Sequence, residues 1–142
     1  DMTVLVWDGK TLAADKRATS VGLARTVTKI QRHGEQLLAM TGDWDVAAEI
    51  REWFKAGAVP RDFPAKARED LASLIVVCRG SLAVYSTGPF PMPIESEKVA
   101  FGSGRDFAEA AMHLGCSAIE AVSVACHFQT DCGNGVDALT LD

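Results

Sequence analysis

The stretch TVLVWDGKTLAAD, residues 3–15, decides where the fold begins. Its first half, TVLVW, is rich in β-branched and aromatic residues, which are typical of strands. Asp8-Gly9 follows, a dipeptide typical of a tight hairpin turn, and TLAAD then supplies a partner strand. We therefore predict a β-hairpin over residues 3–15.

Two more strands and a helix are predicted after this hairpin. ARTVTKIQ (24–31) and QLLAMTG (36–42) have strand character and are joined by the polar turn His33-Gly34-Glu35. DWDVAAEIREWFKAG (43–57) has apolar residues at spacings of three and four, with Asp43 placed as the N-cap. The first third of the chain is therefore predicted to be four strands followed by one helix.

The remainder repeats this separation of strands from helices. LIVVCRGSLAVYS (74–86) predicts two strands, and two short strands follow before the helices 105–115 and 117–128 and a last strand, 135–141. Ser117 and Glu120 have the spacing of a capping box. Segregated runs of strands and helices predict an α+β fold with antiparallel sheets, covered by helices on their outer faces.

Composition restricts the class of protein. The chain has 142 residues, which fits a single domain, with a net charge of −5 and a pI of about 5.1. It has no basic cluster, no apolar run of the roughly 18 residues that span a bilayer, and no secretory signal. We therefore expect a cytoplasmic protein that binds neither nucleic acid nor membrane.

The cysteine and histidine positions do not predict a metal site. Cys78, Cys116, Cys126 and Cys132 lack metal-ligand spacing, and no two of the three histidines are spaced as ligands. Cys78 lies in an apolar run and is predicted to be a buried thiol. We expect no metal and no cofactor.

Four residues of different types could carry chemistry. Thr3 would be a nucleophile if it were the first residue, because a free α-amine has a pKa of roughly 7.7–8.0 and can act as its base. Asp15 is either a turn residue or a partner in the site. Lys29 shares a strand face with Val27 and is either an edge residue or a partly buried amine paired with a carboxylate. Ser103, in FGSG, is either a helix cap or part of an anion-binding turn.

Several segments resemble one family in the same order along the chain. KTLAADKRAT (10–19) resembles the V-x-A-A-D-x-R-A-T segment of proteasome β subunits and of the HslV-type peptidase. TVTKI (26–30), LLAMTGDWDVAAEI (37–50) and AFGSGRDFAEAAM (100–112) are similar to the segments that follow in that family. The resemblance implies the N-terminal nucleophile hydrolase fold, a four-layer αββα sandwich over residues 1–142.

The resemblance also implies roles for individual residues. Thr3 would be the nucleophile, Asp15 and Lys29 the charged pair beside it, and Ser103 the serine near its amine. Asp131 is the best match for the aspartate that completes the network.

Further matches in the resemblance concern the substrate cleft. The backbone N–H of Gly42 would donate to the oxyanion, and Thr19, Ser20 and Val21 would line the cleft. The acidic residues Asp43 and Asp45 suggest a preference for basic side chains in the substrate.

The chain departs from the family pattern in three places. Val4 stands where the family has a second Thr, the first hairpin is about four residues shorter, and Cys132 replaces the Ser or Thr before Gly133. Asp1 and Met2 precede Thr3, and we expect Asp1 to be an expression-tag remnant and Met2 the initiator. An alignment with a shorter deletion would instead place Asp1 and Met2 over the first two positions, leaving no threonine nucleophile.

The resemblance predicts a threonine endopeptidase subunit of a homo-oligomeric ring or double ring, active on peptides or unfolded proteins once Met2 is removed. An ATPase unfoldase partner is implied by analogy alone. Two alternatives stay open: an inactive, ring-forming scaffold of the same fold, and a hydrolase of small amides.

Overall fold

A computed structural model describes residues 3–20 and 22–141 of the chain. The predictions for Asp1, Met2 and Val21 therefore concern positions outside the described residues. Within the described part of the chain, no helix is long and apolar enough to cross a membrane.

The described residues form three helices and eleven strands. The helices are α1 (Trp44–Lys55), α2 (Arg105–His113) and α3 (Ala118–Phe128). The strands are β1 (Leu5–Trp7), β2 (Thr11–Asp15), β3 (Arg17–Ser20), β4 (Leu23–Thr26), β5 (Ile30–His33), β6 (Gln36–Gly42), β7 (Ala72–Cys78), β8 (Ser81–Tyr85), β9 (Met92–Ile94), β10 (Val99–Phe101) and β11 (Val136–Thr140). Two short 3₁₀ turns, Pro60–Asp62 and Ala65–Glu69, lie between α1 and β7.

The strands form two main antiparallel sheets and a small ribbon. The first sheet has the order β10-β1-β2-β11 and the second the order β5-β6-β7-β8-β9, while β3 and β4 form a two-stranded ribbon. The hairpin β1–β2 pairs Leu5 with Ala14 and Trp7 with Leu12, as the Asp8-Gly9 turn predicts.

Three buried clusters show how the layers stack. One cluster lies between the sheets, where Leu5 and Leu12 meet Leu37 and Ile75. A second packs Val6 and other residues of the first sheet against α2 and α3, and a third packs the outer face of the second sheet against α1. Alternate residues of each strand thus pack against opposite layers, and the predicted α+β fold with antiparallel sheets is confirmed.

Several local predictions hold. Asp43 caps α1 through a hydrogen bond from the backbone N–H of Val46 to its carboxylate, 3.0 Å. Ser117 and Glu120 form the capping box of α3. The alternative in which Ser103 is a helix cap is wrong: Gly104 is the N-cap of α2, and Ser103 Oγ accepts a hydrogen bond from the Thr3 N–H.

Two predictions need correction. Six strands, rather than four, precede α1: β3 was not predicted, and the predicted strand 24–31 is divided into β4 and β5 by residues 27–29. Lys29 therefore lies between strands, where its carbonyl accepts a hydrogen bond from the Met40 N–H, 3.0 Å. Cys78 is only partly buried, because it ends β7 beside the turn to β8 and accepts a hydrogen bond from Gln36.

Candidate active site

Thr3 lies two residues before β1 and is buried by the turn that precedes α2. Its backbone N–H donates to Ser103 Oγ at 3.2 Å, and its carbonyl accepts from the Gly104 N–H at 3.2 Å. A Cβ at Gly102 would come within 2.7 Å of the Thr3 carbonyl carbon. The GSG turn therefore lies close to Thr3 because its first residue has no side chain.

Asp15 ends β2 and is completely buried. Its Oδ1 accepts from the Val4 N–H at 3.1 Å, and its Oδ2 accepts from the N–H groups of Arg17 at 3.2 Å and Gly133 at 3.0 Å. These bonds fix the carboxylate in one orientation beside Thr3.

Lys29 joins Asp15 to Thr3. Its Nζ lies 2.7 Å from Asp15 Oδ1 and donates to Thr3 Oγ1 at 3.2 Å, and only 4% of the residue is exposed. Removing two charges from water is costly unless they are paired and hydrogen-bonded. Here the carboxylate is held by backbone N–H groups as well, so the ammonium is kept against the threonine hydroxyl.

A cavity of about 450 Å³ opens beside this cluster. Thr3 and Lys29 lie in its wall together with Arg17, Gly42 and Thr19. The rest of the lining is mostly apolar and consists of Ala18, Met40, Asp43, Trp44, Ala47 and Leu71. The cavity therefore has room for a substrate side chain next to the Thr3 hydroxyl.

The predicted cleft residues are only partly brought together. Gly42 and Thr19 line the cavity, Ser20 is the last residue of β3, and Val21 lies outside the described residues. Asp43 lines the cavity with its carboxylate committed to capping α1. Asp45 is exposed and, in the part of the chain that is described, belongs to another cavity beside α1. The geometry gives little support to a preference for basic side chains.

Asp131 is not joined to the Thr3 cluster. Within residues 3–20 and 22–141, its carboxylate accepts a hydrogen bond from Gln129 Nε2, 3.4 Å, and from no residue of the cluster. Its neighbour Cys132 lies closer, with Sγ 4.0 Å from Ser103 Oγ. Burial first, and then the charge of Asp15, raises the pKa of the Cys132 thiol to about 11.

Two residues of the site were not predicted from the sequence. Gly133 supplies a backbone N–H to Asp15, and nothing in the local sequence indicates this. Arg17 lines the cavity and contacts the loop that carries Gly133. The sequence feature that could have indicated Arg17 is its position in the family-like segment KTLAADKRAT. Among the described residues, no group of three or more His, Cys, Asp or Glu could hold a metal ion.

The sequence itself has no match to a protein-family model, and none to a curated protein. Solved structures match along the whole chain. BPH of Thiobacillus denitrificans, in complex with epoxomicin, is 19% identical with a TM-score of 0.74, covering 99% of this chain and 99% of that one. The eukaryotic HslV from Trypanosoma brucei is 21% identical with a TM-score of 0.72, covering 99% and 98%.

This chain has the fold of HslV. The Anbu (Gly-1) mutant from Hyphomicrobium sp. strain MC1 has it too, at 11% identity and a TM-score of 0.72, covering 99% of this chain and 84% of that one. The resemblance that the sequence motifs predicted is therefore supported by the arrangement of the whole chain. At these identities the likeness concerns the fold, and the chemistry depends on the residues around Thr3.

Proposed function

We propose that this chain is a threonine peptidase subunit of a ring, with Thr3 as the nucleophile once it is the first residue. One observation supports this most directly: the Thr3 hydroxyl lies 3.2 Å from the buried ammonium of Lys29. The Thr3 nitrogen lies 3.2 Å from Ser103 Oγ, so the atoms of a one-residue nucleophile and base are both held in place.

The mechanism follows from these contacts. The free amine of Thr3 takes the proton from its own Oγ1, and the oxygen attacks the carbonyl carbon of the scissile amide. The ammonium of Lys29 stabilises the developing alkoxide, and Asp15 holds that ammonium. The amine then gives its proton to the leaving nitrogen, which produces an ester on Thr3, and a water molecule hydrolyses the ester by the reverse sequence of proton transfers.

Gly42 is the proposed oxyanion donor. It lines the same cavity as Thr3, at the end of β6 just before α1. A backbone N–H aimed at a developing oxyanion typically contributes about 2.7–4 kcal/mol to transition-state stabilisation. The apolar lining around it would accept the side chain of a peptide substrate.

The assembly and partners are proposed from the likeness in fold. A homo-oligomeric ring or double ring in the cytoplasm would enclose the sites, and peptides or unfolded proteins would be the substrates. An ATPase unfoldase partner follows by analogy with HslV-type proteins. Asp131 has no part in the proposed reaction, since its contact lies outside the cluster.

The test is to produce the chain with Thr3 as its true first residue, released from a cleavable fusion, and to treat it with epoxomicin. We expect one adduct on Thr3 by peptide mass spectrometry, and cleavage of fluorogenic peptides that the inhibitor abolishes. Thr3→Ala and the chain that retains Met2 are the matched controls, and both should stay unmodified.

Other outcomes separate the alternatives. No adduct on a folded, ring-forming chain that begins at Thr3 would show an inactive scaffold, with ring size given by sedimentation velocity. An adduct without peptide cleavage would favour a hydrolase of small amides.

A further inference from the structure

Arg17 connects the site to a distant loop. Its Nε donates to Asn134 Oδ1 at 2.9 Å, and its Nη1 donates to the carbonyl of Thr130 at 2.8 Å. These two acceptors lie at the two ends of residues 130–134, which we call the 130–134 loop. A planar guanidinium has N–H donors in fixed directions, so it can hydrogen-bond to both ends of the loop at once. The ammonium of a lysine lacks this fixed arrangement of donors.

The 130–134 loop reaches the site at two points. The Gly133 N–H donates to Asp15 Oδ2 at 3.0 Å, and the Gly133 carbonyl accepts from the Lys16 N–H at 2.9 Å. Cys132 Sγ lies 4.0 Å from Ser103 Oγ. The loop therefore contacts both the carboxylate that holds Lys29 and the serine that holds the Thr3 nitrogen.

We propose that Arg17 is a positioning residue: by fixing the 130–134 loop, it keeps the Gly133 N–H on Asp15 and so keeps Lys29 aimed at Thr3. The catalytic consequence rests on the proposed peptidase function. The claim that Arg17 fixes the 130–134 loop does not rest on that function, because it concerns only hydrogen bonds within the folded chain.

The packing of Gly133 offers an independent way to disturb the same contact. A Cβ at this position would lie 2.6 Å from Arg17 Nη2 and 2.8 Å from its Cζ. Gly133→Ala must therefore push the guanidinium and the loop apart while leaving Arg17 unchanged in sequence.

Arg17 also lines the cavity, so a direct contact with substrate is the competing explanation. The two explanations differ in kinetics. A positioning role lowers kcat with little change in KM, whereas the loss of a substrate contact of equal strength in ground and transition states raises KM alone.

The experiment compares variants of the full chain beginning at Thr3. Arg17→Ala, Arg17→Lys and Gly133→Ala are expected to lower kcat by about 10- to 100-fold, because small misplacements of reacting groups cost that much. Asn134→Gly removes one acceptor of Arg17 while permitting the positive φ of 62° found there. It should give a smaller loss of the same kind.

Thr26→Val is the matched control. The exposed Thr26 hydroxyl accepts from Asn134 Nδ2 at 3.1 Å, so this variant removes the other hydrogen bond of Asn134 and leaves Arg17 intact. We expect wild-type kcat and KM. Active-site titration with epoxomicin normalises every rate to the number of folded, competent sites.

Amide hydrogen exchange gives a readout that needs no activity. Arg17→Ala should speed exchange in residues 129–135 at least tenfold, with β7 unchanged as an internal reference. Unchanged exchange in that loop, an unchanged kcat, or a rise in KM alone would each overturn the proposal. If the wild-type chain hydrolyses nothing, the proposed function fails, and exchange still decides whether Arg17 holds the loop.

Discussion

The β1–β2 hairpin carries an aspartate at each end, and both bind backbone N–H groups. Asp8, at the closed end, accepts from Lys10, Thr11 and Ala118 at 3.0, 2.8 and 3.0 Å. Asp15, at the open end, likewise accepts three backbone N–H groups, at 3.1, 3.2 and 3.0 Å. Each carboxylate thus ties the hairpin to a segment far along the chain.

The difference is the lysine. Asp15 is fully buried and lies 2.7 Å from Lys29 Nζ, whereas Asp8 is partly exposed and, in the described residues, has no ion pair within 4.0 Å. Asp8 shows that backbone capping alone can secure such a carboxylate. The buried ammonium at the other end is therefore not needed for capping, and a costly buried charge pair beside a hydroxyl points to chemistry.

Removing the lysine tests the comparison most severely. Lys29→Met should leave Asp15 as an unpaired buried charge and lower the free energy of unfolding by about 3–5 kcal/mol, because breaking a buried pair costs that much. It should also abolish the epoxomicin adduct. Urea denaturation and peptide mass spectrometry measure the two effects.

The double variant Asp15→Asn with Lys29→Met is the control for this interpretation. It removes the unpaired charge, so we expect it to be more stable than Lys29→Met alone while staying inactive. If the double variant is the less stable of the two, the backbone N–H groups alone stabilise the Asp15 carboxylate, and the cost of leaving it unpaired has been overestimated.

At the other end of the hairpin, Asp8→Ala should affect stability alone. Three backbone N–H groups lose their acceptor, and we expect a loss of about 1–3 kcal/mol in the free energy of unfolding. kcat and KM should not change, because Asp8 lies at the end of the hairpin away from Thr3. A clear loss of kcat at an unchanged number of titrated sites would show that the two ends are coupled.

The sequence predicted the closed end of the hairpin correctly and placed Lys29, at the open end, in the wrong local structure. The Asp8-Gly9 turn, the Asp43 cap and the Ser117–Glu120 box are local signals, and all three elements form as predicted. Lys29 was predicted inside a strand, because the alternation of residues 24–31 is also local.

The true environment of Lys29 is set by contacts distant in sequence. Its carbonyl pairs with Met40, and its ammonium meets Asp15, fourteen positions away. The Gly133 N–H on Asp15 comes from 118 positions away. The resemblance to a known family could suggest the first of these partners, whereas no periodicity or propensity could indicate the second.

The free energy of unfolding at acid pH should show the contribution of the Asp8 carboxylate to stability. Burial works to raise the pKa of Asp8, but the backbone N–H groups of Thr11, Ala118 and Lys10 outweigh it, and the pKa is lowered below 3.8. The folded pKa is thus below the unfolded one, so the stabilisation is complete above the unfolded value and is lost as pH falls through the folded value.

The difference in unfolding free energy between wild type and Asp8→Ala should therefore shrink as the pH is lowered from about 4 toward 2, followed by urea denaturation at each pH. Asp106→Ala, at an exposed carboxylate 4.0 Å from Arg105, is the control and should show a small difference throughout. A difference that grows on acidification would contradict the direction of the shift.

Cys132 offers the mildest change at the open end of the hairpin. With burial raising the pKa of its thiol to about 11, against an ordinary 9.0, its thiolate fraction near pH 7.5 is about a hundredfold below that of an ordinary thiol. Native-state alkylation by iodoacetamide should be slower by at least that factor than in urea, and should still be rising with pH at pH 10. A plateau near pH 9 would contradict the shift.

Cys132→Ser should then keep kcat within about twofold, because the side chain stays small and polar and the backbone N–H of Gly133 remains on Asp15. Cys132→Ala opens a small cavity, so it should cost more stability than the serine variant. Equal loss of kcat in both would mean that the sulfur itself is required. Retention in the serine variant would mean that the open end of the hairpin depends on the buried charges and the backbone N–H groups that hold them.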